Sequence, residues 1–420
     1  MSWLPRALWL GLFFVPLASG AQRNGTARCA ADNAELILPP GFCAQIVADR
    51  VGPARHVVVV PNGDIYVALS GRSGGVLALR DTDGDGVADE RERFGSVGGT
   101  GIAFFDGHLY FGTDTSVVRW RWNAGTLGPA GPMETIVTEL RVQRGHAAKT
   151  IAIGQDGSLF VNIGAPSNAC QERDRQEGSP GQDPCPLLEW SGGIWRFDAR
   201  RQMQRQSDGE RWATGLRNMV ALTVGPDGRT LWGVQHGRDL LSGNWGRTHP
   251  IFTDQKNADN PAEELFRIDK GGDYGWPYCY YDVDLKKKVL APEYGGDGTT
   301  VGRCANVGQP LVAFPGHWAP EAMVFYTGNR FPAEYRGGAF VSFHGSWNRA
   351  PLPQAGFNVA YVPFENGRPT GSYVVFADGF RGAPNEIRHR PMGLAVAPDG
   401  SLVVTDDQGG RIYRIMWRGR

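Results

Sequence analysis

An all-β, six-bladed β-propeller is the fold class this sequence predicts, and three observations predict it. A unit of β-run, turn with Asp-Gly, Asn-Gly or a variant, and second β-run recurs six times. The units span the whole length with uneven gaps, the pattern of radially stacked blades. Glycine is very frequent, 59 residues with 28 prolines, yet there is no Gly-x-y period and no low-complexity tract. That composition fits many turns between short strands and excludes collagen and disorder.

In chain order, residues 1–21 read as a signal peptide: Arg6 supplies positive charge, residues 7–17 are apolar, and Ser19-Gly20-Ala21 offers a small-residue cleavage site. The alternative is an uncleaved N-terminal anchor. No later segment approaches twenty apolar residues. The expectation is export, to the periplasm or the medium, of one propeller domain over residues 22–420. Cys29, Cys43, Cys170, Cys185, Cys279 and Cys304 form an even set suited to disulfides in an oxidising compartment, and sequential pairing closes three short loops. No CxxC or CxxCH occurs, which argues against zinc and covalent haem.

The units are HVVVVPNGDIYVALSG from His56, GIAFFDGHLYFGTD from Gly101, TIAIGQDGSLFVNIG from Thr150 and VALTVGPDGRTLWGVQ from Val220. A fainter copy starts at Ala322, and GLAVAPDGSLVVTD starts at Gly393. The strand near 42–47 is expected to complete the blade that ends at 411–417, which removes the ring's free edges. The gaps at 165–195 and 240–320 are expected to be loops grown from one face.

Lys plus Arg equals Asp plus Glu, 43 each, which argues against a general nucleic-acid binder. Asp81-Thr82-Asp83-Gly84-Asp85-Gly86, with Asp89 and Glu92 following, matches the calcium-loop pattern D-x-D-x-D-G-x5-E. It is either a structural calcium site or a solvated acidic hairpin tip.

A hairpin brings the start of its first strand and the end of its second to one edge. Arg217 and Asn218 precede a first strand while Gln235 and His236 follow its partner, so residues 215–237 form a polar rim. His146 and Lys149 occupy the same rim position in the preceding unit, and His317, His344, Arg388 and Arg390 also sit at or beside repeat ends. An imidazole there suits a general base. The cations would make a central pocket suited to a ligand with several carboxylates or phosphates.

GLRN at 215–218, the QHG turn at 235–237, Glu263-Glu264 leading into LFRIDKGGDYGWP, and residues 317–349 resemble the glucose/sorbosone dehydrogenase family, closest to its sorbosone branch. The resemblance covers nearly all of the mature chain. It implies pyrroloquinoline quinone as cofactor. Arg388 and Arg390 would bind its carboxylates, Arg217 and Asn218 its quinone end, with His236, Lys149, His317 and His344 alongside. It implies a calcium ion held by the backbone carbonyls of Gly237 and Arg238, polarising the quinone, and His146 as base. It implies a sugar, sugar aldehyde or related alcohol as substrate, and an external acceptor, cytochrome or quinone. Three positions depart from the family. Ala165 follows Ile163-Gly164 where soluble glucose dehydrogenases carry an acidic residue that supports the histidine. Arg238 replaces a proline, and the region of His344 replaces a lysine. Tyr274, Trp276, Tyr278, Tyr280 and Tyr281 either stack on a sugar ring or are structural. The competing readings are a calcium-dependent lactonase or esterase, with Glu263, Glu264 and Asn218 as donors, and a propeller that binds carbohydrate or protein without chemistry.

Overall fold

The structure, a computed structural model, describes residues 1, 27–72, 74–383 and 386–419. The expected signal peptide, Met1 apart, lies outside the described residues.

Six blades follow one another around a ring, four of them four-stranded sheets and two, the second and third, carrying a short fifth strand. Their innermost strands are Ala54–Val59, Gly99–Phe105, Ile151–Ile153, Ala221–Val224, Pro320–Phe325 and Pro391–Val396, each packed against the next. Each opens one of the six repeats read from the sequence. Together they enclose a channel of about 370 Å³ lined chiefly by aliphatic and aromatic side chains, with His56 at one end. The last blade takes its outer strand from the N-terminus: Phe42–Ala48 pairs antiparallel with Ile412–Trp417, Phe42 opposite Trp417.

The core is divided among the blade interfaces. Six buried clusters each join two neighbouring blades; one combines Tyr66, Val76 and Ala78 with Ile102, Phe111 and Trp120. A strand inside a blade is therefore covered on both faces, which is why Ile65–Leu69 and Ala339–Phe343 are buried at every residue instead of alternating. The turns use their acids as expected: the Asp227 carboxylate accepts the N–H groups of Arg229 and Thr230, and Gly228 sits at φ +70°.

Two insertions cover one face. After leaving the fourth blade, the chain runs Gly272–Asp273 parallel to Glu210–Thr214, an edge strand on the third blade. That route carries residues 276–304 up beside residues 165–192. Trp276 seals the junction, packing with Ala165 and the Cys170–Cys185 disulfide. Cys29–Cys43 and Cys279–Cys304 complete the sequential pairing. Among the described residues no helix is long and apolar enough to cross a membrane.

Candidate active site

The rim of first-strand starts and second-strand ends is where polar groups gather, as hairpin geometry requires. His146 stands there in a left-handed turn, φ +50°. The Gln143 side-chain amide holds that turn by donating to the carbonyls of Gly145, His146 and Gly164 at 2.7–2.8 Å. Gly164 permits the close approach: a Cβ there would lie 2.8 Å from both His146 Cβ and Asn218 Oδ1. The His146 Nδ1 lies 2.5 Å from the Ala165 carbonyl oxygen. A carbonyl only accepts, so Nδ1 carries the proton and Nε2 presents a lone pair. Among the described residues Nε2 has no partner. Burial, reinforced by the Arg217 charge, pushes the His146 pKa down to about 3, so the ring is neutral at ordinary pH. The support expected from an acid after Gly164 comes from a backbone oxygen instead.

Beside it, Arg217 is buried and bound on all sides. Its guanidinium donates to Asp239 Oδ2 at 2.8 Å, to the side-chain and backbone oxygens of Asn168, and to the Gly237 carbonyl at 2.9 Å. Asp239 also accepts from Arg175 at 2.7 Å and from Asn348 at 2.5 Å. Burial opposes its charge, but Arg217 and Arg175 outweigh that and hold its pKa below the ordinary range. Four separate loops thus meet on one carboxylate.

Across the ring a second carboxylate does similar work. Asp407 accepts from Arg55 and from His344 Nε2, both at 2.8 Å. The His344 Nδ1 accepts from Arg390, whose guanidinium also donates to the His344 and Gly345 carbonyls and lies 5.2 Å from the Phe357 ring centre. Arg55 reaches Glu321 at 3.4 Å, and His236 donates to or accepts at Pro320 O, 2.8 Å away; a carbonyl requires the former. His56 Nε2 donates to the Glu321 carbonyl at 2.8 Å, placing its ring at the site end of the channel.

A family profile described as TrAA12-like matches residues 36–418. The chain belongs to the TrAA12-like family. It is 27% identical over 237 residues to a pyrroloquinoline quinone-dependent pyranose dehydrogenase of Coprinopsis cinerea, a match covering 48% of this chain and 30% of that enzyme. The chain spans less than half the length of the curated relatives it matches. The PQQ domain of the Coprinopsis cinerea pyranose dehydrogenase in its holo form superposes with TM-score 0.74 at 19% identity, covering 93% of this chain and 100% of that one. The calcium structure of the Trichoderma reesei protein of carbohydrate-active enzyme family AA12 gives 0.74 at 21% identity, covering 91% and 97%. At these identities the likeness establishes the propeller fold. Family and neighbours agree with the resemblance to glucose/sorbosone dehydrogenases.

Not every expected site residue of this TrAA12-like chain reaches the rim cluster. Lys149 is fully buried, donates to the Ala147 carbonyl at 2.6 Å, and is pushed down to about 8 by burial. His317 packs beneath the rim, Nε2 on the Asn257 carbonyl and Nδ1 3.9 Å from Asp239. The Arg238 side chain turns away to a buried pairing with Glu293. Arg388 stands apart: it is half exposed and pairs with Glu386 and Glu35 on the outside, because residues 386–390 precede the strand Pro391–Val396 as irregular backbone, where positions two apart need not share a face as they do in a strand. Tyr274, Trp276 and Tyr280 are buried, the first bonded to the Arg267 carbonyl and the second to Asn168 O, so the structural alternative holds for them. Glu263 accepts the Gly237 and Ala319 N–H groups and Glu264 pairs with Gln235 and Lys288, so each carboxylate already holds framework groups together beneath the rim. In the acidic loop Asp81, Asp83 and Asp89 converge, their oxygens within 4.8 Å of one another. Asp85 turns back onto the Val87 N–H. Glu92 is drawn into the strand Glu90–Phe94, opposite Ala78, and its carboxylate lies against Gly128. Those two expected ligands therefore do not join the group.

Sequence reading missed Gln143, Asn168, Arg175, Asp239, Asn348, Arg55, Glu321 and Asp407. Arg55 and Asp407 were accessible, since both stand at repeat ends, Arg55 just before the first unit and Asp407 directly after the last unit's second strand. The others lie in turns and insertions without a period.

Proposed function

We propose that this protein is an exported, pyrroloquinoline quinone-dependent dehydrogenase that oxidises a sugar, a sorbosone-like sugar aldehyde or a related alcohol. The observation that carries the reading is His146: a neutral imidazole on the rim with Asn218 and Arg217, its tautomer set by Ala165 and its Nε2 without a partner among the described residues. Such a group takes the proton of a substrate hydroxyl without first having to lose one of its own.

The residues fit the cofactor in part through charge. Arg390 is held by three contacts of one terminal nitrogen, all to uncharged groups. A planar ligand with three carboxylates would give it an anionic partner. Arg217 and Asn218 would hold its other end. Gly237 O already accepts from Arg217, so a calcium ion would share that oxygen through its second lone pair. The Arg238 carbonyl, with no hydrogen bond among the described residues, would be the second ligand. When bound, the quinone supplies a two-electron hydride acceptor. The chain's own part is to orient substrate against His146, keep that ring neutral, and fix the cations with Asp239 and Asp407. The reduced enzyme would pass electrons to an external cytochrome or quinone. Export is supported by three disulfides.

The test is reconstitution of purified protein with pyrroloquinoline quinone and calcium, followed by sugar-dependent dye reduction over a panel of aldoses and sugar aldehydes. Absence of cofactor binding at micromolar levels sinks the reading; binding without turnover on any substrate reduces it to a non-catalytic member.

A further inference from the structure

The acidic loop at 81–89 lies outside the rim, yet it touches the seam that closes the ring. It leaves the first blade after Gly75–Arg80 and leans on the closing strand, the Ala88 N–H donating to the Val47 carbonyl at 2.9 Å. Gln45 reaches into it from the same strand. The Gln45 amide nitrogen donates to Asp85 O at 2.9 Å, which fixes the orientation of the amide because a carbonyl only accepts. The other end, Oε1, points at Gly86, where a Cβ would stand 2.5 Å away. Gln45 is 8% exposed, and this oxygen has no hydrogen-bond donor. Gly86 in turn donates its N–H to Asp81 Oδ2 at 2.9 Å.

A dry, donorless amide oxygen aimed into a loop where three carboxylates converge calls for a cation or its bound water. Asp83 and Asp89 have no ion pair with any described residue; the hydrogen bonds they accept come from neutral groups of the loop itself, Thr82 and the Asp85 N–H. All donors are hard oxygens on an open loop, the chemistry of Ca²⁺ rather than of zinc or copper. We propose that Asp81, Asp83 and Asp89 bind one calcium ion that locks this loop onto Gln45 and so braces the seam between the first blade and the closing strand. This site needs neither the quinone nor the rim.

The experiment uses full-length, cofactor-free protein stripped of metal. Calorimetric titration with calcium chloride, with and without Asp81→Asn plus Asp83→Asn, reads the site. The expected result is one more bound calcium per chain in the parent protein, with a dissociation constant of about 10⁻⁴ M as in extracellular loops. Saturating calcium should raise the Tm by about 3 °C or more in the parent and by much less in the double variant. Gln45→Leu should keep calcium binding but lose much of the thermal gain, which separates bracing from binding. Equal calcium stoichiometry in parent and double variant overturns the site, and an undiminished thermal gain in Gln45→Leu overturns the brace. Circular dichroism before titration confirms that each variant is folded.

Discussion

Two carboxylates organise the site, and they differ in what they stand on. Asp407 gathers Arg55, His344 and, through His344, Arg390, all from the ends of repeat strands. Asp239 gathers Arg217 from a repeat end, but Arg175 and Asn348 come from long connections that belong to no repeat. The Asp407 group is a product of the ring itself. The Asp239 group draws on two connections: Arg175 comes from the insertion that Trp276 and a disulfide pin down, and Asn348 from the connection after Ala339–Phe343. A propeller can therefore keep its Asp407 side while the side carrying His146 is rebuilt by loop change.

The largest expected effect is on catalysis. His146→Ala should lower turnover by about 10²–10⁴-fold with cofactor affinity kept, whereas His344→Ala should weaken cofactor binding and leave turnover at saturation nearly intact. Equal losses of turnover would break the division between the two sides. Next comes stability. Asp239→Asn leaves the buried Arg217 without its anion and should cost about 3–5 kcal/mol in urea unfolding. Asp407→Asn should cost about 1–2 kcal/mol, since Arg55 keeps Thr100 and Glu321 and His344 keeps Arg390. The reverse order would show that the insertions are dispensable.

The pH dependence should separate the sides further. With its folded pKa lowered to about 3, His146 contributes stability that is present above its unfolded pKa near 6.5 and is lost as pH falls toward 3. The kcat/KM profile should therefore show no acid limb near 6.5 from this base. A limb at 6.5 that disappears in His146→Gln would refute the buried neutral state. Glu263, raised to about 8 by burial, behaves oppositely: its contribution is complete below about 4.5 and is lost as pH rises through 8. Urea midpoints measured from pH 4 to pH 9 should fall at both ends. The smallest effect is expected from Gln143→Ala, which frees the His146 turn: a several-fold drop in kcat with KM little changed, and no change in calcium or cofactor binding.

The fold was legible because a repeat announces itself by spacing, and the seam because the first and last strands lacked partners within the chain order. The Asp407 side was half legible: His344 and Arg390 could be placed by register, but Arg55 and Asp407 passed unnoticed among ordinary strand ends. The Asp239 side was opaque for a physical reason. Arg175 and Asn348 reach their partner through irregular backbone, and the support for His146 is a main-chain oxygen that every residue owns. Arg388 shows the limit of strand alternation as a guide, since two residues separate a pocket cation from a surface one. The aromatic residues at 274–280 were ambiguous until packing put Trp276 against Gly192.

The pairing of Phe42–Ala48 with Ile412–Trp417 also orders events in time. Phe42–Ala48 emerges during synthesis well before Ile412–Trp417 and must wait for it, so five blades can form while the sixth still has an open edge. Ring closure is then the contact of greatest sequence separation and the slowest to be made. Until it is made, both ends offer unpaired backbone to any neighbouring chain. Losing a few C-terminal residues should therefore promote aggregation more than it lowers the activity of the molecules that do fold.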